Sequence, residues 1–170
     1  MFTKRCIVIA DAFIAWSTGI LPKPYLFYLR EHKHPIGLAG LYDIWIDPAT
    51  KTEIHSFTII TVAANSLIRG IQSYRMPVIL SYGQESRWLK QNLSLAEILG
   101  MLNKCPSKQM NGYLLSNKID QPGPYSKEML SPQGPRLLSE EFPPPLPQQS
   151  YYGHKKKSSD NTKTLGDLRR

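Results

Sequence analysis

The sequence has few cysteines. Among 170 residues there are two, Cys6 and Cys105, and they form no CxxC pair. This excludes a disulfide-stapled scaffold and a zinc ribbon or finger. Long apolar runs are also missing. No window approaches the eighteen uninterrupted apolar residues of a membrane span. The opening Met1-Phe2-Thr3-Lys4-Arg5 runs straight into a strand-like segment and does not have the form of a signal peptide. No glycine-rich phosphate loop, HExxH or GxSxG motif occurs. These absences favour a cytoplasmic protein with reduced thiols and no membrane partner.

What is present can support a core: 41% hydrophobic residues, 10% of the chain being aromatic. The net charge is +8, and half of it lies from Ser150 onward. There Lys155, Lys156, Lys157, Lys163, Arg169 and Arg170 outnumber Asp160 and Asp167. A basic body and a basic tail fit a polyanionic partner such as nucleic acid. The same charge would also serve solubility alone.

The first eighty residues read as strands. Apolar, β-branched runs occur at Cys6–Ala10, Pro24–Leu29, Ile36–Ile46, Phe57–Val62 and Pro77–Leu80, with Asp47-Pro48 as a turn. Pro77 can only begin its strand or lie on an edge. Most of these runs are apolar on both faces, as in a closed or doubly covered sheet. Helices are expected over 63–71, 84–91 and from Ser94. Ser94-Leu95-Ala96-Glu97 is a capping box, followed by a stripe of Leu95, Ile98, Leu99 and Leu102. Beyond about residue 119 the pattern fades. Phe142 to Pro147 is polyproline-like, and a Lys/Ser/Asp/Asn tail follows. The expected organisation is one domain over 1–138 and a Pro-rich, then basic, disordered tail over 139–170. The proline run suits a stiff linker better than an SH3-type ligand.

Chemistry-bearing residues are sparse. His32 and His34 could be a metal pair, but third ligands are wanting and a solvated turn is the better account; no metal and no small-molecule cofactor is expected. Cys6 and Cys105 read as structural. Asp11 and Asp43 stand at expected strand ends, where capping is the default. Arg75, between an apolar helix and an apolar strand, could offer a guanidinium fork to phosphate. Trp16 and Tyr74 could stack on bases, although half-buried surface aromatics explain them equally.

Six segments carry a family resemblance. Arg5-Cys6-Ile7-Val8-Ile9-Ala10-Asp11-Ala12-Phe13-Ile14-Ala15-Trp16 resembles R-C-[LIV]-[VI]-x-A-D-G-[FY]-[YF]-E-W. Lys23 to Leu29 resembles K-x-P-[YF]-x-[IFV], and Ala39 to Trp45 resembles A-G-L-[WY]-[DE]-x-W. Phe57 to Asn65 resembles F-[ST]-I-[IL]-T-x-x-A-N. Ile71 to Leu80 resembles I-H-x-R-M-P-V-I-L, with Trp88-Leu89 following. Gly112 to Ile119 resembles a late Y-P-V-S-x-x-V strand. The chain is thus similar to the SRAP family, the SOS response-associated peptidases or abasic-site processing proteins, over roughly residues 5–120.

The resemblance implies an α+β, β-rich, barrel-like domain that binds single-stranded DNA and captures abasic sites covalently. In that chemistry a cysteine behind the initiator methionine is the nucleophile. Its α-amine, with a pKa of about 7.7–8.0, condenses with the sugar aldehyde, and its thiol closes a thiazolidine. A glutamate and a histidine move protons. Here residue 2 is Phe2, the glutamate position of the E-W motif is Ala15, and the histidine position is matched to Gln72. The glycine of A-D-G is Ala12. Thr61 and Arg75 keep the pattern. The expectation is a partial domain, truncated before its first residue, with no intact catalytic residue. It is expected to be a monomer that meets single-stranded DNA, including abasic DNA, through Trp16, Thr61 and Arg75. A gene fragment without independent function, or an interaction module using the tail, are the alternatives.

Overall fold

The computed structural model describes residues 3–31, 35–124 and 126–138. The apolar runs form the strands β1 (Arg5–Ala10), β2 (Phe13–Trp16), β3 (Pro24–Leu29), β4 (Ile36–Ile46), β5 (Glu53–Ile59), β6 (Thr61–Ala63), β7 (Arg75–Pro77) and β8 (Met110–Leu114). Three short helices, α1 (Ser66–Gly70), α2 (Gln84–Trp88) and α3 (Leu95–Met101), lie between β6 and β8. His32, His34, His154, the proline run and the basic tail lie outside the described residues.

All pairing is antiparallel. The strand orders are β1-β4-β5, β2-β3-β8 and β6-β7. Among the described residues no ladder joins one three-stranded sheet to the other, so the expected barrel-like closure is not formed. The two sheets meet through side chains instead. Phe27 and Met110 from one, and Ile36 and Leu38 from the other, share a buried cluster with Leu67, Ile68 and Met76. A second cluster joins Ala39, Val78, Leu80, Trp88, Ile98 and Met101. Side chains alternate along a strand, so Leu38 enters the first cluster and Ala39 the second. Strand β4 is therefore covered on both faces, but only over its first five residues.

Past Gly40 that cover ends, which corrects the expectation of sheets apolar and buried on both faces. Tyr42, Ile44, Trp45 and Ile46 of β4, and Ile54 and Phe57 of β5, are exposed. The β4–β5 hairpin projects from the body with its apolar residues uncovered.

Other expected elements shift for local reasons. The run Phe57–Val62 splits at Ile60. Ile59 still pairs with Gly40, whereas Thr61 pairs with Pro77. Ile60 turns between them, donating to Ala39 O and accepting from Val78 N, both at 2.9 Å. Pro77 ends β7 rather than beginning a strand, and the two-stranded pair it belongs to is an edge where its missing N–H costs little. The capping box forms as expected: Ser94 Oγ accepts from Glu97 N at 3.3 Å and Glu97 accepts from Ser94 N at 3.0 Å. The stripe behind it is different. Ile98 and Met101 are buried, while Leu95 and Leu99 stay exposed.

Candidate nucleic-acid interface

The β6–α1–β7 unit places Thr61 and Arg75 together. Strands β6 and β7 are antiparallel, with Thr61 opposite Pro77 and Ala63 opposite Arg75. Arg75 Nε donates to Thr61 Oγ1 at 3.0 Å; Nη2 donates to the same hydroxyl at 2.8 Å and to Thr61 O at 2.5 Å. Both residues are exposed. A guanidinium carries five N–H donors. Thr61 fixes one side of this one, and the Nη1 donors have no protein partner among the described residues. Such a fork is preorganised for an anion, since its orientation is already set.

Gln72 lies in the turn before β7. It is exposed and has φ 61°, in the left-handed region. Counted back from Arg75, the I-H-x-R spacing falls on Ser73, one residue after Gln72. Ile71 to Arg75 thus holds one residue more than the motif, and the turn takes it up. Neither Gln72 nor Ser73 titrates near neutral pH. Thr18 Oγ1 donates to Gln72 O at 2.7 Å, which ties the end of the β2 segment to this turn.

Ala15 and Trp16, adjacent on β2, point to opposite faces. Ala15 packs against the first core cluster beside Phe13. Trp16, 40% exposed, lines a cavity of about 450 Å³ with Ile14, Ile119 and Leu130. Among the described residues no hydrogen bond joins Trp16 to Thr61 or Arg75, whose side chains bond each other. Tyr74 is exposed next to Arg75.

The cysteines sit as structural residues do. Cys105 is buried, and burial pushes its thiol up to about 11. Cys6 is half-buried on β1, and burial raises its thiol too. His55 lies on β5, 3.4 Å from Glu53. Among the described residues no cluster of three His, Cys, Asp or Glu could hold a metal. Asp43 lies within β4 rather than at its end. The Lys4 ammonium bonded to it holds its carboxyl below the usual range.

Two residues missed as determinants are Arg5 and Asn65, both buried. Arg5 Nε donates to Trp88 O at 2.7 Å, Nη2 donates to Lys90 O, and the guanidinium lies 5.6 Å from the Trp88 ring centroid. Trp88 Nε1 returns a bond to Cys6 O at 2.9 Å. Asn65 caps α1 through Ile68 N at 3.1 Å and donates to Cys105 O at 2.9 Å. Their signal was the motif partners themselves: R-C with W-L, and A-N at the head of a helix.

The family model described as SOS response associated peptidase (SRAP) matches residues 1–122. Among curated proteins, abasic site processing protein YoqW of Bacillus subtilis is 31% identical over 134 residues, covering 76% of this chain and 58% of that protein. Abasic site processing protein HMCES of Gallus gallus is 34% identical over 106 residues, covering 51% and 31%. A solved structure of a Bacteroides thetaiotaomicron protein superposes with a TM-score of 0.71 at 32% identity, covering 77% of this chain and 57% of that one. The chain spans little more than half the length of the bacterial relatives it matches.

Proposed function

The chain belongs to the SOS response associated peptidase family, and on that premise we propose that it binds single-stranded DNA, abasic-site DNA included, without crosslinking to it through its own residues. The relatives it matches are abasic site processing proteins. The observation that carries the reading is the Arg75 guanidinium, held by Thr61 on an exposed strand pair with donors to spare. A phosphodiester oxygen meets that fork as an acceptor. Trp16 supplies an exposed aromatic face for stacking.

The non-covalent part rests on Ala15, on Gln72 and Ser73, and on the two cysteines. Alanine moves no proton, and neither an amide nor an aliphatic hydroxyl titrates near pH 7. Losing a general acid or base costs about 10²–10⁴-fold. Thiazolidine closure needs a free α-amine and a thiol on one residue. The nitrogens of Cys6 and Cys105 are amides, so neither can condense with an aldehyde. In the same reading the protein acts as a cytoplasmic monomer in the response to DNA damage.

The test pairs a gel-shift assay at two salt concentrations with a denaturing gel on abasic single-stranded DNA. A salt-sensitive complex that denaturant dissolves is expected. A denaturant-resistant adduct would overturn the non-covalent reading. No shift at low salt would overturn DNA binding altogether.

A further inference from the structure

We propose that the cleft between α1 and residues 104–108 is a second anion site, which takes a phosphate of the nucleic-acid backbone. It rests on the DNA-binding reading above and extends the contact beyond Arg75. The cleft measures about 550 Å³, and its walls carry Arg69, Lys104 and Lys108. No carboxylate lines it. Among the described residues, none of these three side chains forms a hydrogen bond or an ion pair. Lys108 O accepts from Arg30 Nη1 at 3.4 Å, which ties the Lys108 backbone to the end of β3.

The walls are fixed in place. Asn65, 3% exposed, bonds Cys105 O at 2.9 Å, and Ser66 Oγ bonds Ser107 Oγ at 3.0 Å. The cations are therefore gathered on a braced frame and not on a loose loop. Three like charges facing one concavity repel one another, and a bound anion relieves that repulsion. The hydroxyls of Ser66 and Ser107 add neutral partners that suit a tetrahedral oxyanion. Lys104 and Lys108 reach Arg69 from about forty residues away, so only tertiary packing assembles the charge. Arg69 and Arg75 belong to the same β6–α1–β7 unit.

The experiment compares three full-length proteins: wild type, R69Q/K104Q/K108Q, and a control of equal charge, K51Q/K118Q/K127Q. Binding of a fluorescent single-stranded oligonucleotide is measured by anisotropy across salt concentrations, with thermal melting to verify folding. The cleft variant should lose about 0.7 of the salt slope, the share of one phosphate contact, while the control keeps the wild-type slope. Equal losses in the two variants, or an unchanged slope, would overturn the cleft. Tripolyphosphate, titrated into the same proteins by calorimetry, separates the two readings. If wild type binds no DNA yet takes up tripolyphosphate and the cleft variant does not, the cleft stands and the DNA reading falls. If wild type binds neither ligand, both fall.

Discussion

At the scale of single residues, the packing of Ala15 decides more than its lack of a proton. Its side chain is half-buried against the first core cluster, whose members are apolar. Ala15→Glu should therefore destabilise the fold by about 1–3 kcal/mol, read as a lower melting temperature, and restore no crosslinking on a denaturing gel. A variant as stable as wild type would show that this face is open. Cys105 gives a pH-dependent test. Its thiol has an ordinary value of 9.0 and is raised to about 11 in the folded protein. The unfolded chain therefore ionises first. The stabilisation is complete below pH 9, falls as pH rises from 9 toward 11, and levels off above that. Cys105→Ala should flatten this alkaline limb in denaturation curves collected from pH 8 to 11. In the native protein a thiol reagent should modify Cys6 well before Cys105.

Elements gain definition from their ends and lose it where cover stops. The α3 cap joins Ser94, Glu97 and Arg87, whose Nη2 reaches Glu97 at 3.1 Å. The Ser94 amide and hydroxyl, then Arg87, hold the Glu97 carboxyl below its ordinary value of 4.5. The stabilisation is present at neutral pH and is lost as pH falls from 4.5 through the lowered folded value. Ser94→Ala should cost about 1 kcal/mol at pH 7, measured by denaturant unfolding. The β4–β5 hairpin is the opposite case. Alternation puts Tyr42, Ile44 and Ile46 on one face with Phe57, and Tyr42 and Phe57 line a cavity of about 400 Å³ with Cys6 and Val8. Exposed apolar area of this extent, along a strand edge, binds hydrophobic dye and promotes association. A Phe57→Ser/Ile44→Thr variant should bind less dye in the native state and stay dispersed at higher concentration by light scattering.

Across the whole molecule the two core clusters are one cooperative system. Strand β4 feeds both, and Val62 packs against each. Trp88, fully buried, fastens the second cluster to β1 through its bond to Cys6 O and the Arg5 guanidinium beside it. Trp88→Ala should cost about 3–5 kcal/mol. The loss should appear as one transition, coincident by circular dichroism and by fluorescence, rather than as early melting of one half. Close packing also shapes the β2-β3-β8 sheet from within. A Cβ at Gly112 would lie 2.6 Å from the Phe27 ring, so β3 and β8 approach as closely as they do only with glycine there.

The sequence alone determined those features whose physics is local. Pro24–Leu29 and Ile36–Ile46 are strands with the bounds their apolar runs predict, and Ser94-Leu95-Ala96-Glu97 caps a helix because both partners sit within one turn. The family was legible in the same way, through motifs such as R-C and A-N whose side chains turn out to brace the core. Tertiary structure decided what depends on residues far apart. The sheets face each other across side chains instead of closing, because Phe27, Leu38 and Met110 meet in space and not in sequence. Ala15 and Trp16 diverge, since neighbours on a strand face opposite ways and only the fold says which face is covered. Thr61 clamps Arg75 because β6 and β7 pair in a register that the intervening turn sets. Lys104 and Lys108 join Arg69 because Asn65 pins two distant segments to each other, a link that no local pattern encodes.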